Sequence, residues 1–351
     1  MRIAELNAEW LAAAVGIDPA RVADLDCTAV GTGQVADTYR LCFRVDGTPR
    51  SLVLKVTPDN PVSRQTGRGQ ASYLREVRFY QELAATLAVR VPQWRSADAD
   101  DAGTEFHLLL EDMTPCRPGD QMAGCTLAEA EAVLQEAVGL HAPRWQDPAV
   151  GRLPWLKVNA AARRPGSDVY TMLFAAFRQR YDGRIEDELM AVGAALFPHI
   201  DAYYQAQRAA PQTVTHGDLR PDNLLFGGLG GQVPVTVVDW QTVDVGPGIA
   251  DVSYFIGGAL PAEVRRAHER ALVERYHEGL RRHGVDGYSL SDCWLDYARF
   301  SLAGYVMGVG ASMSVRQTER GDLMFISMVR GAGRHALDLD ALGLLGLRSR
   351  S

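Results

Sequence analysis

The sequence predicts an α+β architecture: a small lobe built on an antiparallel sheet with one inserted helix, followed by a larger, mainly helical lobe. Three observations carry that expectation. After an N-terminal helix-like stretch and up to residue 113, short runs alternate apolar and polar residues with the two-residue period of half-buried strands, around one inserted stretch of helical period. The stretch TPCRPGDQMAGC, Thr114 to Cys125, is rich in proline and glycine and reads as a linker. Beyond it the apolar spacing is mostly helical, and a chain of 351 residues has room for two such units at about 150 residues each. The expected division is 1–113 and 114–351.

The first residues, MRIAELNAEWLAAAVGI, form a helix-like stretch whose early acidic residue does not fit a secretory signal. AVGTGQVADTYRLCFRVDG reads as a hairpin: Tyr39, Leu41, Phe43 and Val45 face one side and Arg40, Cys42 and Arg44 the other, with Asp46-Gly47 at the next turn. SLVLKV is a third strand with Lys55 near its end. In SYLREVRFYQELAATL, Leu74, Val77, Tyr80, Leu83 and Leu87 recur at spacings of three and four, the stripe of an amphipathic helix. VPQWRSA and EFHLLLEDM are two further strands, separated by ADADDAG. In the second lobe Thr126 and Glu129 form a capping box that opens a helix running to about His141. Helices follow, except around VTHGDLRPDNLLFG and VPVTVVDWQ, where short apolar strands flank loops and GGLGGQ makes a turn.

Composition narrows the function classes. With 47% hydrophobic and 23% charged residues the chain reads as globular. Its net charge of -7 is modest and dispersed, which leaves no footprint for nucleic acid or an anionic membrane, and no apolar run reaches the about 20 residues of a membrane span. Cys27, Cys42, Cys116, Cys125 and Cys293 are odd in number and scattered, without a CxxC pair, so a disulfide framework or zinc site is not expected and a reducing cytoplasm is. Lys55 and Lys157 are the only lysines among 36 basic residues, so each asks for a reason.

The chemistry is concentrated in HGDLRPDN. Asp218 and Asn223 stand five apart, the spacing of the catalytic-loop Asp and Asn in protein kinases, and Asp239 follows sixteen residues later at the end of a strand, where a kinase has its metal-binding aspartate. Phosphoryl transfer needs those residue types. The triphosphate is held through magnesium, which takes oxygen ligands that Asn223 and Asp239 can supply, while Asp218 can accept the proton of an acceptor hydroxyl. A polar turn is the competing account of this stretch. Lys55 offers a compact ammonium suited to α- and β-phosphate oxygens, and Glu76, twenty-one residues on in the helix, can pair with it. Gly31-Thr32-Gly33-Gln34 lets backbone amides approach phosphate or makes an ordinary hairpin turn; the third glycine of the kinase pattern is replaced by Ala36.

His216-Gly217-Asp218 with Asn223, then Asp239-Trp240-Gln241, resembles the aminoglycoside phosphotransferase and choline kinase superfamily, small-molecule kinases of protein-kinase-like fold. GTGQVADTYRL upstream and LHAPRW resemble the ecdysteroid kinase-like branch most. The resemblance spans about Val30 to Gly258 and implies ATP and Mg2+ as cofactors. It implies that Lys55 holds the α- and β-phosphates with Glu76 steadying it, and that Asp218 is the base. Asn223 and Asp239 bind magnesium, Gly31 and Gly33 bend over the phosphates, and the backbone from Glu111 to Met113 is the hinge that receives adenine. Asp251 would brace the catalytic loop or cap a helix. Arg220, from its spacing to Asp218 alone, is a candidate to neutralise the transferring group. His141 either packs in the core near the loop or lines the acceptor site.

The acceptor is expected to enter between the helical lobe and the catalytic loop, against the segment Trp294 to Met324, where SLAGYVMGVGASM offers either an apolar wall or a close-packed core helix. A small, fairly apolar hydroxylated metabolite is favoured over a choline-like or aminoglycoside acceptor. A catalytically inactive nucleotide-binding module and a nucleotidyl transferase are the rival classes. The residues give no oligomeric state.

Overall fold

The protein is described here by a computed structural model covering residues 2–31, 35–100 and 102–347. Alternation along the early strands does what two-residue periodicity requires. Strands β1 (Val22–Ala29), β2 (Asp37–Val45), β3 (Thr48–Val56), β4 (Trp94–Ala99) and β5 (Phe106–Glu111) form one antiparallel sheet in the order β1-β2-β3-β5-β4. Asp46 and Gly47 both have positive φ, 50° and 77°, the backbone a tight turn between β2 and β3 demands. On one face Leu41, Phe43, Leu52, Leu54, Val56 and Leu109 pack with Leu11 of the helix Ala8–Val15. Lys55 has the opposite parity from Leu54 and Val56. It therefore points to the other face, where the helix Ser72–Arg78 lies.

That helix departs from expectation in two ways. The amphipathic pattern predicts one solvated face, yet Ser72, Tyr73, Arg75, Glu76 and Val77 are all buried, because the helix is wedged between the sheet and the helical lobe. It also does not run straight to Leu87: Phe79–Leu83 is a π-helical turn and Ala84–Thr86 a 3₁₀ turn. The Phe79 ring stacks on Trp240 of the helical lobe at 3.8 Å and 7°. Arg75 ties the same contact. Its guanidinium, fully buried, donates to the carbonyls of Val243 at 2.8 Å and Leu156 at 2.7 Å.

The stretch read as a linker is instead docked on the second lobe. β6 (Arg117–Pro118) pairs with β8 (Leu224–Gly227), which pairs with β9 (Val233–Val237). Gly119 donates to the Leu224 carbonyl at 2.9 Å, and a Cβ at Gly119 would stand 2.0 Å from the Pro221 carbonyl oxygen, so only glycine fits this approach. Thr126 and Glu129 form the capping box of the helix Leu127–His141. The short strands β7 (Thr213–Thr215) and β10 (Asp244–Gly246) pair beside it. The core of this lobe centres on the helix Gly248–Ala259, whose side chains are almost all buried by Leu127–His141, Ala262–Arg282, Ala303–Ser312 and Glu319–Asp338. No helix among the described residues is long and apolar enough to cross a membrane.

Candidate active site

The loop His216–Asn223 is held in place by polar groups within it and behind it. Gly217 has φ 78°, and a Cβ there would come within 2.7 Å of the Thr242 carbonyl oxygen, so the position admits only glycine. The Asp251 carboxylate receives the backbone N–H groups of His216 and Gly217 at 2.6 and 3.0 Å. His216 is fully buried; its Nδ1 accepts from the Asp218 N–H at 3.2 Å, which leaves Nε2 to donate to the Val238 carbonyl at 3.0 Å. Asp251 thus braces the loop, from within the first turn of the helix Gly248–Ala259. His141 is fully buried behind it, 2.9 Å from the Tyr276 hydroxyl and 3.3 Å from Asp251, and belongs to the core rather than to an acceptor surface.

Asp218 is surrounded by donors. Asn223 Nδ2 donates to its backbone carbonyl at 2.8 Å and to Oδ2 at 3.0 Å, Arg220 Nε donates to Oδ2 at 3.2 Å, and the Tyr254 hydroxyl donates to Oδ1 at 2.6 Å. Burial, and then the neighbouring Asp218 carboxylate, push the Tyr254 phenol well above its usual range, which keeps it a donor. Arg220 does not stand free toward a phosphoryl group. Its guanidinium is clamped between Asp218 and Asp222, with Nη1 2.6 Å from Asp222 Oδ2 and 3.3 Å from Met324 Sδ. Burial opposes its charge, but the two carboxylates outweigh burial and raise its pKa.

Across the cleft, three residues far apart in sequence meet. Lys55 Nζ donates to both oxygens of Glu76, at 2.6 and 2.7 Å, and to Asp239 Oδ1 at 3.0 Å. Asp239 has φ 67°, a left-handed backbone that a non-glycine residue adopts only where its surroundings over-determine it, and the next amide, Trp240 N–H, donates to Glu76 at 3.3 Å. Burial alone would lower the Lys55 ammonium, but Asp239 and Glu76 more than offset it and the net shift is upward. Asp239 is burdened by burial and relieved by Lys55, and ends below its usual range. Val238 N–H donates to the Asn223 carbonyl at 3.0 Å, which sets Asn223 and Asp239 on adjacent segments. With Nδ2 of Asn223 turned to Asp218, its amide oxygen points away from that carboxylate. One amide oxygen and one carboxylate are the hard donors that magnesium takes alongside phosphate and water.

The remaining candidates are placed less directly. The Glu111 carboxylate is occupied by Arg90 at 2.8 Å and by the Gln93 N–H at 3.1 Å. The Met113 carbonyl accepts from Leu229 N–H at 2.9 Å, so at the hinge this oxygen is already engaged within the protein. Gly31 is exposed with φ 77°; Gly33 lies outside the described residues. Sequence reasoning missed Tyr254, Asp222 and Gln121. The helix Ala303–Ser312 packs on two sides. Tyr305 and Val309 enter the main core, while Ala303, Met307 and Ala311 join Tyr254, Met324, Phe325 and Met328 in a separate apolar cluster next to Arg220 and Asp218.

The model of the phosphotransferase enzyme family matches residues 26–287. No curated protein sequence matches. Among solved structures, the chain is similar to a microcompartment-associated aminopropanol kinase at 15% identity and a TM-score of 0.54, over 97% of this chain and 98% of that one. It is also similar to choline kinase from Cryptosporidium parvum Iowa II at 11% identity and a TM-score of 0.53, over 93% and 92%. The GDP complex of wild-type aminoglycoside 2'-phosphotransferase-IIIa matches at 15% identity and a TM-score of 0.50, over 88% and 93%. At such identities the likeness establishes the bilobal, kinase-like α+β fold.

Proposed function

The chain belongs to the phosphotransferase enzyme family, and from that premise we propose that it transfers the γ-phosphoryl group of ATP to a hydroxyl of a small, fairly apolar molecule. The observation that carries the reading is the meeting of Lys55, Glu76 and Asp239 across the cleft from a loop that fixes Asp218 by its backbone and both carboxylate oxygens.

Lys55 holds the α- and β-phosphates, kept in place by Glu76, and Gly31 folds over them. Asp218 orients the acceptor hydroxyl and takes its proton as the phosphorus–oxygen bond forms and ADP leaves. Asn223 and Asp239 are the residues that would hold magnesium, which neutralises phosphate charge when bound. Arg220 acts through Asp218 and Asp222, setting the charge beside the base. Glu111 supports the hinge through Arg90, and adenine is received by the backbone up to Met113. The lobes divide at residues 113 and 114, a boundary supported by the pairing of β6 with β8. Branch membership closest to the ecdysteroid kinase-like proteins is supported by GTGQVADTYRL, LHAPRW and Asp239-Trp240-Gln241. Five free cysteines suit a reducing cytoplasm. An apolar acceptor is supported by the methionine-lined cluster beside Asp218.

The test is mass spectrometry of hydroxylated metabolites incubated with the protein, ATP and Mg2+. The expected product carries one added phosphoryl group, with ADP formed in equal amount. An acceptor carrying a nucleotidyl group, or nucleotide bound with no acceptor ever modified, would replace this reading with one of its rivals.

A further inference from the structure

Asp218 Oδ2 already accepts from Arg220 and Asn223, so an acceptor hydroxyl has Oδ1 to approach, the oxygen that Tyr254 holds. Tyr254 also lines a small cavity of about 10 Å³ with Gln121, Arg220, Gly257, Gly304 and Met328. A Cβ at Gly304 would stand 3.1 Å from the Tyr254 ring, so the ring rests closely on that glycine. Gln121 comes from the segment read as a linker, and is 4% exposed. Its backbone N–H donates to Asp222 at 2.7 Å, and its side-chain Nε2 donates to the Gly258 carbonyl at 2.8 Å. The second bond fixes which way the amide faces, and it leaves Oε1 buried without a hydrogen-bond partner among the described residues. A buried acceptor left unpaired bears its full desolvation penalty, so the site gains from any ligand that brings a donor there.

We propose that Gln121 Oε1 is a second attachment point for the acceptor and that Tyr254 is the residue the acceptor displaces from Asp218. This rests on the kinase reading above and adds a substrate class: a neutral molecule with an apolar body and a second hydroxyl beside the one phosphorylated. Charge decides the class. An ammonium at Gln121 would share the cavity with the Arg220 guanidinium, which already engages the Asp218 and Asp222 carboxylates that could otherwise pair with it. A carboxylate or phosphate would meet the Gln121 oxygen, which donates nothing, with Asp218 and Asp222 close by. A hydroxyl donates without bringing charge. The body of the molecule then faces Tyr254, Met324, Phe325 and Met328.

The experiment measures ADP release from ATP and Mg2+ with cyclohexanol and with vicinal cyclohexanediol as matched probes, on the wild type, Gln121→Leu and Tyr254→Phe. The diol is expected to exceed the mono-alcohol in kcat/KM by at least about tenfold in the wild type, because a site built to pair a hydroxyl rejects the analogue lacking it. In Gln121→Leu that ratio falls toward one. Tyr254→Phe, which removes the competing hydroxyl, lowers KM for the diol. Calorimetric binding of Mg2+-ATP to each variant shows that its fold and nucleotide site persist. Equal rates for the two probes in the wild type, or a diol preference that survives in Gln121→Leu, overturn the proposal. So does failure of both probes while Mg2+-ATP is bound and slowly hydrolysed, an outcome that leaves the kinase reading standing. Absence of ATP binding to the wild type overturns both.

Discussion

Replacing Asp218 with asparagine is expected to lower kcat by about 10³, the middle of the range that a positioned acid–base group supplies, with nucleotide binding nearly unchanged. The loss is chemical, because the surroundings accept the amide. Arg220 and Asn223 both donate to Oδ2, so the asparagine oxygen turns to them and its NH₂ group faces Tyr254. A tyrosine hydroxyl accepts as well as donates, so that contact is kept by rotating one O–H. What disappears is a group that can take the acceptor's proton. Steady-state rates with a phosphorylated acceptor, alongside thermal unfolding, check this: a fall in kcat below about tenfold would remove Asp218 from the role of base, and a large fall in Tm would show the loop to depend on its charge.

Lys55→Met is expected to fail twice, in stability and in catalysis. Glu76 is fully buried and receives Lys55 on both oxygens, so removing the ammonium strands a buried carboxylate, a loss of about 3–5 kcal/mol. The same change withdraws the charge placed for the phosphates, and kcat/KM should fall by about 10²–10³. The two effects separate in the double variant Lys55→Met with Glu76→Gln. Neutralising the stranded carboxylate should recover most of the lost stability and none of the activity. Recovery of activity in the double variant would mean that Lys55 matters for packing alone.

Much of this site was legible in the chain because its chemistry is carried by fixed local spacings. Asp218 and Asn223 share one loop, and Asp239 lies just past the end of a strand whose partner follows that loop directly. Lys55 stood out through the scarcity of lysine, and strand parity put it on the face of the helix that carries Glu76. Tyr254 and Gln121 gave no comparable signal. Tyr254 lies in a helix buried almost all round, thirty-six residues from the carboxylate it contacts, and its role depends on the pose of that helix. Gln121 sits in a stretch whose prolines and glycines mark it as irregular, and only the close approach at Gly119 and the pairing of β6 bring it to Asp222. Arg75 follows the same logic. Beside Glu76 it reads as one more surface residue of a helix, and its burial comes from the second lobe closing over it. Arg220 was placed by spacing but not by function, since the two carboxylates that clamp it were each read for something else or not at all.

A nucleotide–magnesium site assembled from both lobes, with Asp239 as its anionic corner, should couple the binding of the two ligands. Isothermal calorimetry of ATP binding with and without Mg2+, on the wild type and on Asp239→Asn, tests it most directly. Magnesium should tighten ATP binding in the wild type and lose that effect in Asp239→Asn. A protein that binds no ATP under either condition, or one whose magnesium effect survives intact in Asp239→Asn, would contradict the account.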